Sequence, residues 1–225
     1  MQMTRKMDEF NTGLKLACAT LSTTAILDVL TWNDVVKLQE IPNGKELYIQ
    51  GWIANTINNM LIGPGTYTLV RAKLTSTSNH SFFLSLRNSL EMVLWHAVFY
   101  YAFHRLMHTA RLYKIHKFHH QFNKVILAST ANAVSIREYV FAYMLPFILG
   151  CIIVSPNEHE LLVSASIVSL FNLIVHTPSF KGLKLPWFMV STADHFDHHT
   201  LQKRNFAAPT FHIDNLLQEL FLLKR

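Results

Sequence analysis

The chain has 225 residues, about half of them apolar, and only 15% are charged. Soluble domains usually carry roughly 25% charged residues, so this composition excludes a disordered chain and argues against a fully soluble globule. Two cysteines are too few for a disulfide-stapled mini-protein. The formal net charge of +6, taken with the apolar content, favours a membrane surface over a nucleic acid as the partner.

The first ninety residues are predicted to anchor the chain in a membrane. Residues 14–32 form a candidate membrane helix that is interrupted by Lys15 and Asp28. Residues 47–70 carry no charge, but the helix breaker Gly63-Pro64-Gly65 lies within them. We therefore predict an interfacial or re-entrant segment there, and divide the chain into an anchoring region, 1–90, and a second region, 91–225.

Two long uncharged runs in the second region predict a membrane hairpin. Residues 139–157 and 161–180 contain 19 and 20 uncharged residues, separated by the acidic turn 158–160. A bilayer span needs about 20 apolar residues, so each run is long enough to cross, with Pro146 kinking the first. The alternative is a pair of buried helices in a soluble all-α protein. The prediction is an all-α integral membrane bundle of three to five hydrophobic helices.

The basic residues predict how the bundle is oriented. Residues 105–137 contain six Lys or Arg and no acid, and further basic residues follow the hairpin on the same side. The turn 158–160 has no Lys or Arg. Because cytoplasmic loops are enriched in Lys and Arg, we expect the basic segments to face the cytosol.

Histidine is unusually frequent, with 13 residues, and eight of them form three clusters. On a helix, residues three and four apart share a face, so we expect each cluster to point into one site. The clusters are His104 and His108; His116, His119 and His120; and His195, His198 and His199.

Neutral imidazole is a good ligand for Fe, Zn, Cu or Ni, and eight imidazoles exceed what one metal ion can take. We therefore predict two metal ions, or one ion with many supporting groups. The alternative is that the histidines merely decorate the membrane interface. Without a metal, however, many buried ring nitrogens would lack partners.

The clusters also carry a family resemblance. Residues 100–108 (YYAFHRLMH), 116–120 (HKFHH) and 194–199 (DHFDHH) resemble the three histidine boxes of the fatty acid hydroxylase/sterol desaturase superfamily. Residues 129–146 and 176–178, together with Asn205-Phe206 and residues 214–217, are similar to the segments between and after the family's boxes. The resemblance covers residues 92–223 and leaves out the N-terminal region.

The resemblance implies a membrane-bound non-haem di-iron oxidoreductase with its histidines facing the cytosol. It implies that O2 and electrons from NAD(P)H, delivered by a donor such as cytochrome b5 and its reductase, hydroxylate or desaturate a lipid: a sterol, a fatty acyl chain or a related long-chain substrate. In a eukaryotic cell the expected membrane is the endoplasmic reticulum, and no nucleic acid is expected as a partner. The eight box histidines become the catalytic iron ligands, and His176 becomes a ninth ligand.

Other residues near the boxes are assigned lesser roles. Asp194 and Asp197 are candidates to accept hydrogen bonds from ligand rings, although solvated acids on a helix face are an equal alternative. His96 is expected to be packed rather than a ligand. Ala97 stands where the family often has Asp, and Gln218-Glu219 replace its usual Gly-Thr; we expect the groups that support the ligand rings to differ here from the family pattern.

Two other classes of function are carried forward. One is a non-catalytic membrane protein that keeps a metal site for structure. The other is a zinc-dependent membrane hydrolase. The absence of an H-E-x-x-H motif, and of a Glu that accompanies the boxes as a general base, argues against the hydrolase.

Overall fold

The computed structural model describes residues 2–222, with side chains from residue 9 to residue 221. Within that part the chain is α-helical without a β-strand, apart from an isolated bridge between Met189 and Phe211. The all-α prediction is confirmed. The α-helices in chain order are α1 (Gln2–Leu30), α2 (Trp32–Glu40), α3 (Gly44–Ile57), α4 (Gly63–Leu74), α5 (Phe82–Met107), α6 (Tyr113–His116), α7 (Ile136–Glu138), α8 (Leu145–Val154), α9 (Glu158–Val175), α10 (Thr192–Leu201) and α11 (Ile213–Leu222).

Three helical segments of the described chain are long and apolar enough to cross a membrane: Glu9–Leu30, Ile136–Val154 and Glu158–Val175. They correspond to the predicted N-terminal helix and to the two arms of the predicted hairpin. The first arm contains a π-helical segment, Tyr139–Met144, before α8 begins. This number of segments agrees with the predicted three to five hydrophobic helices.

The hairpin turn lies three residues earlier than predicted. Residues 158–160 form the first turn of α9, and the turn itself is formed by residues 155–157. Asn157 caps the helix, because its side chain accepts from the Glu160 backbone N–H and the Glu160 side chain accepts from the Asn157 backbone N–H. Such a capping box explains why the acidic residues belong to the helix rather than to the turn.

The expectation that Gly63-Pro64-Gly65 breaks the helix within residues 47–70 is wrong, while the interfacial or re-entrant placement of this segment stays a prediction. A π-helical segment, Asn58–Ile62, joins α3 to α4, so the chain stays helical through the glycines. Pro64 stands in the first turn of α4, where its missing N–H is tolerated. Asn55 donates to the Ser129 carbonyl and Asn58 to the Val134 carbonyl, at 3.0 and 2.9 Å. These buried bonds fasten the segment to the chain that follows the second histidine box.

Helices α5 and α9 both run from one end of the bundle, here the hairpin end, to the other, the histidine end. At the hairpin end, His80 Nδ1 lies 2.7 Å from Glu160 Oε1, and Arg71 pairs with Glu9 and Glu158. At the histidine end, α5 finishes beside His104 and α9 is followed by His176. Helix α5 packs against α8 and α9, and α1 packs against α4.

Candidate metal centre

The nine histidines predicted as ligands gather into two adjoining groups. Within each group, one ring nitrogen of every member lies within 4.8 Å of the corresponding atoms of the others. All are buried except His108, which is partly exposed. The five-histidine cluster contains His104, His108, His116, His120 and His198, and the four-histidine cluster contains His119, His176, His195 and His199.

The second box contributes to both clusters instead of pointing into one site. His116 is the last residue of α6, and a 3₁₀ turn follows at His119–Gln121. His116 and His120, four residues apart, join the five-histidine cluster, with their Nε2 atoms 2.9 Å apart. His119 points to the other side, where its ring centroid is 4.5 Å from that of His199. The expectation of one site per box is therefore wrong.

The third box, on α10, divides in the same way. His195 and His199 belong to the four-histidine cluster, with their Nε2 atoms 3.2 Å apart. The residue between them, His198, belongs to the five-histidine cluster, and its ring centroid lies 4.5 Å from that of His104. Each of these two boxes thus bridges the two clusters.

Backbone carbonyls hold three of the rings from behind. His104 Nδ1–H donates to the Phe206 carbonyl at 2.7 Å, and His198 Nδ1–H donates to the Arg204 carbonyl at 2.9 Å. His176 Nδ1–H donates to the Asn172 carbonyl at 2.7 Å. A carbonyl can only accept, so each Nδ1 carries the hydrogen and each neutral ring turns a bare Nε2 towards its cluster.

A fourth ring is held by a carboxylate that the sequence analysis did not assign. Glu138 Oε1 lies 2.5 Å from His116 Nδ1, and both side chains are buried. Glu138 does not contradict the expectation that no Glu accompanies the boxes as a general base, but the sequence analysis missed it as the partner of a ring. A usable signal was present, because Glu138 is the first acid after the basic segment and stands directly before the apolar run. Glu138 lies behind the His116 ring, in the position from which a carboxylate orients a metal-binding imidazole.

Neither aspartate of the third box contacts a ligand ring. Asp194 closes a capping box at the start of α10, accepting from the Ser191 hydroxyl at 2.5 Å. Asp197 pairs with Arg204 on the surface, at 2.7 Å. Both side chains point away from the clusters. Asp197 fits the alternative of a solvated acid on a helix face, whereas Asp194 caps the helix.

Burial keeps the clustered imidazoles neutral. Removal from water lowers the pKa of His108 to about 3 and that of His120 to about 2. Burial likewise lowers the pKa of His176 and of His198 to about 4. The pKa values of the other five are held well below the ordinary value of 6.5, again by burial. Neutral imidazole is the form that binds metal ions.

The five-histidine cluster fits a cation better than it fits hydrogen bonds among rings. His116 Nε2 lies 2.9 Å from Nε2 of both His104 and His120, and one hydrogen cannot serve two neighbours. His198 Nε2 is buried and has no hydrogen-bond partner. Two nitrogens each about 2.1 Å from one metal ion, at a right angle, are about 3.0 Å apart. The observed separations match that spacing.

An apolar cavity of about 120 Å³ lies inside the bundle, between α1, α4, α8 and α9. Asn172 lines it, and the carbonyl of the same residue accepts the hydrogen bond from His176. Tyr143 lines it as well and packs edge-on against Tyr100, whose ring is 5.1 Å from His104. The cavity therefore lies close to both clusters, although none of the nine clustered histidines is among its lining residues.

Comparison with known proteins identifies the family. The family described as Fatty acid hydroxylase matches residues 89–219, which is more than half of the 225 residues. No curated protein and no solved structure matches the chain. The matched range contains all three histidine boxes, His176 and Glu138. The chain therefore belongs to the fatty acid hydroxylase family, within the fatty acid hydroxylase/sterol desaturase superfamily.

Proposed function

We propose that this chain is a membrane-bound di-iron oxidoreductase that hydroxylates or desaturates a lipid with O2 and electrons from NAD(P)H. The observation that carries the proposal is the pair of adjoining clusters of neutral imidazoles at one end of an apolar bundle. The apolar cavity inside the bundle, close to the clusters, supplies a place for part of a hydrocarbon chain. The family match supports the same class of reaction.

The number and spacing of the ring nitrogens favour iron over zinc. Structural zinc sites take four ligands in a tetrahedron, with nitrogens about 3.4 Å apart. The larger cluster has five histidines, and three of its nitrogen pairs lie 2.9, 2.9 and 3.2 Å apart. These separations suit right-angled, octahedral coordination. We propose that His104, His108, His116, His120 and His198 hold one iron ion and that His119, His176, His195 and His199 hold the other.

Bound iron would supply the redox chemistry that activates O2. In hydroxylation one oxygen atom enters a C–H bond, and the other leaves as water, with two electrons and one proton from NAD(P)H and a second proton from solvent. In desaturation two hydrogens leave the lipid, and with the same two electrons and two protons both oxygen atoms become water. The chain contributes positioning and exclusion of water: Glu138 and the carbonyls of Phe206 and Arg204 hold the ligand rings, while burial keeps bulk water from the site.

The proposal also includes the membrane orientation of the protein, its electron donor and its compartment. We propose that the histidine end faces the cytosol, since the basic segment 105–137 lies there. The electron donor is then a cytosol-facing partner such as cytochrome b5 with its reductase, and in a eukaryotic cell the membrane is the endoplasmic reticulum. His108 is the partly exposed member of the clusters, which makes its side of the site the natural approach for that partner.

A zinc-dependent hydrolase would need a carboxylate facing the metal-bound water as general base. Glu138 instead contacts Nδ1 of His116, on the far side of that ring from Nε2 and the other ligands. A structural, non-catalytic metal site would leave the internal cavity without a role. Both alternatives predict metal binding without oxidation of a lipid.

The test joins metal analysis with lipid comparison. Full-length protein purified in detergent is analysed for iron and zinc, and lipids are compared between cells with and without the chain. Iron at two ions per chain and a hydroxylated or desaturated lipid that disappears with His119→Ala support the proposal. Zinc in place of iron, or an unchanged lipid profile under O2 and reductant, would refute it.

A further inference from the structure

His96 is a buried imidazole that the metal clusters do not use. It lies on α5, is 1% exposed, and packs against Phe147 at a ring-centroid distance of 4.6 Å. Both of its ring nitrogens are buried and have no hydrogen-bond partner among the described residues. A neutral imidazole carries one N–H donor and one acceptor. Leaving both groups without partners in an apolar interior costs free energy. A ligand that hydrogen-bonds to the ring would remove this cost.

The unpartnered ring lines the internal cavity. The exposed wall of the cavity is mostly apolar, and His96 is one of its polar lining residues, with side-chain nitrogens that have no partner among the described residues. Tyr67 is another, and its hydroxyl oxygen is also buried without a hydrogen-bond partner. Two other polar groups in the wall satisfy each other, since Thr20 Oγ1 lies 2.9 Å from Ser169 Oγ. A purely hydrocarbon occupant would fill this space and leave the imidazole unsatisfied.

The position of His96 sets a distance along the bundle. His96 precedes the ligand His104 by eight residues on one continuous helix, which corresponds to about 12 Å of rise. A lipid oxygen that is hydrogen-bonded to His96 would therefore lie about 12 Å, measured along α5, from the level of the five-histidine cluster. A lipid held at that oxygen would bring a carbon well removed from its polar group to the site of oxidation.

We propose that His96 hydrogen-bonds a hydroxyl or carbonyl oxygen of the lipid substrate inside the cavity. The substrate class is then an amphiphile whose polar oxygen enters the bundle and is separated by about 12 Å from the carbon that reacts. Neutral imidazole suits a hydroxyl well, because it can donate through one nitrogen or accept through the other. This inference rests on the proposed lipid oxidation, but lipid binding tests it independently.

The experiment compares two probes that differ only in the oxygen: 1-hexadecanol and hexadecane, each radiolabelled, binding to the purified full-length protein in one detergent. The measured quantity is the affinity ratio of the alcohol to the alkane. Differences in detergent partitioning cancel when this ratio is compared between variants. One hydrogen bond inside a membrane protein is worth about 1 kcal/mol, so His96→Phe should lower the ratio about fivefold. His96→Gln, which keeps a donor and an acceptor, should preserve it.

Two controls separate the possible outcomes. Tyr67→Phe removes the other unpartnered polar atom of the same cavity and should leave most of the preference for the alcohol. Metal content and thermal unfolding of each variant establish that the fold and both clusters survive. An unchanged ratio in His96→Phe, as expected if water alone satisfies the ring, or a loss confined to Tyr67→Phe, overturns the inference. Failure of lipid oxidation, with the binding preference intact, counts against the proposed function alone.

Discussion

Replacement of Glu138 by Gln tests whether a carboxylate behind a ligand ring supports metal binding. Glu138 Oε1 lies 2.5 Å from His116 Nδ1, and His116 Nε2 faces two neighbouring ligands at 2.9 Å. Glutamine has nearly the same shape but no charge, and its amide N–H₂ can face Nδ1. The hydrogen of the imidazole then moves to Nε2, where it blocks the metal.

The size of the effect follows from other metal sites. Loss of such an outer hydrogen-bond partner costs 10–100-fold in metal affinity, which is about 1.4–2.7 kcal/mol. We expect Glu138→Gln to weaken iron binding at the five-histidine cluster by this factor. The measurement is iron retained per chain, by mass spectrometry of the metal, after dialysis against graded concentrations of a chelator.

Glu160→Gln is the matched control. Glu160 is also a buried carboxylate that contacts a histidine, since its Oε1 lies 2.7 Å from His80 Nδ1, but it stands at the hairpin end. We expect this variant to lower thermal stability and to leave iron affinity unchanged. Equal iron retention in Glu138→Gln and the wild-type protein, or equal losses in both variants, would refute the reasoning.

Three further outcomes are expected. His198→Ala should lower iron content and abolish lipid oxidation, whereas exposed His159→Ala at the hairpin end should change neither; a large loss from the latter would contradict the proposed orientation. Burial lowers the pKa of His176 and His198 to about 4, below the unfolded value of 6.5, so the unfolded state binds more protons between these values. Stability of metal-free protein should therefore be full above pH 6.5 and fall below it, by about 1.4 kcal/mol per pH unit for each such ring; a melting temperature that is flat from pH 7 to pH 5 would contradict this. A Cβ on Gly44 would meet the Leu38 carbonyl oxygen at 1.8 Å, whereas one on Gly65 meets nothing within 4 Å, so Gly44→Ala should lower stability by about 1–3 kcal/mol and Gly65→Ala should not; equal melting temperatures in detergent would refute this.

The helices and the candidate ligands could be predicted because their signals are local. Uncharged runs of about 20 residues identify membrane helices, and histidines three and four residues apart on one turn imply a shared site. His176 came from the family resemblance, since a single histidine at a helix end has no pattern of its own. The structure brings all nine rings together, while their binding of iron stays a prediction.

The division of the boxes between two clusters could not be predicted from spacing. On a helix, the residues three and four positions after His116 both lie near its face, one to the left and one to the right. His119 and His120 can therefore face one site or two. The surrounding rings decide this, because His199 takes up the space beside His119. Glu138 was missed for a similar reason, since it lies 22 positions after His116 and the sequence does not reveal the path of the chain between them.

The Gly63-Pro64-Gly65 segment was misread because its context is tertiary. Glycine and proline usually end helices, but here buried side-chain amides on the preceding turns bond to carbonyls at residues 129–134. Those bonds hold the helix across the weak point. The single-residue rule was sound, and the packing of a distant segment outweighed it.

The bridging of both clusters by the second and third boxes affects how the protein would be loaded with metal. When one ion orders His116 and His120, it also fixes the short turn that carries His119 to the neighbouring site. The conformational entropy of that turn is then lost when the first ion binds and is not lost again when the second ion binds. Iron uptake should accordingly be cooperative, with apoprotein and doubly filled protein dominating a titration and singly filled protein scarce.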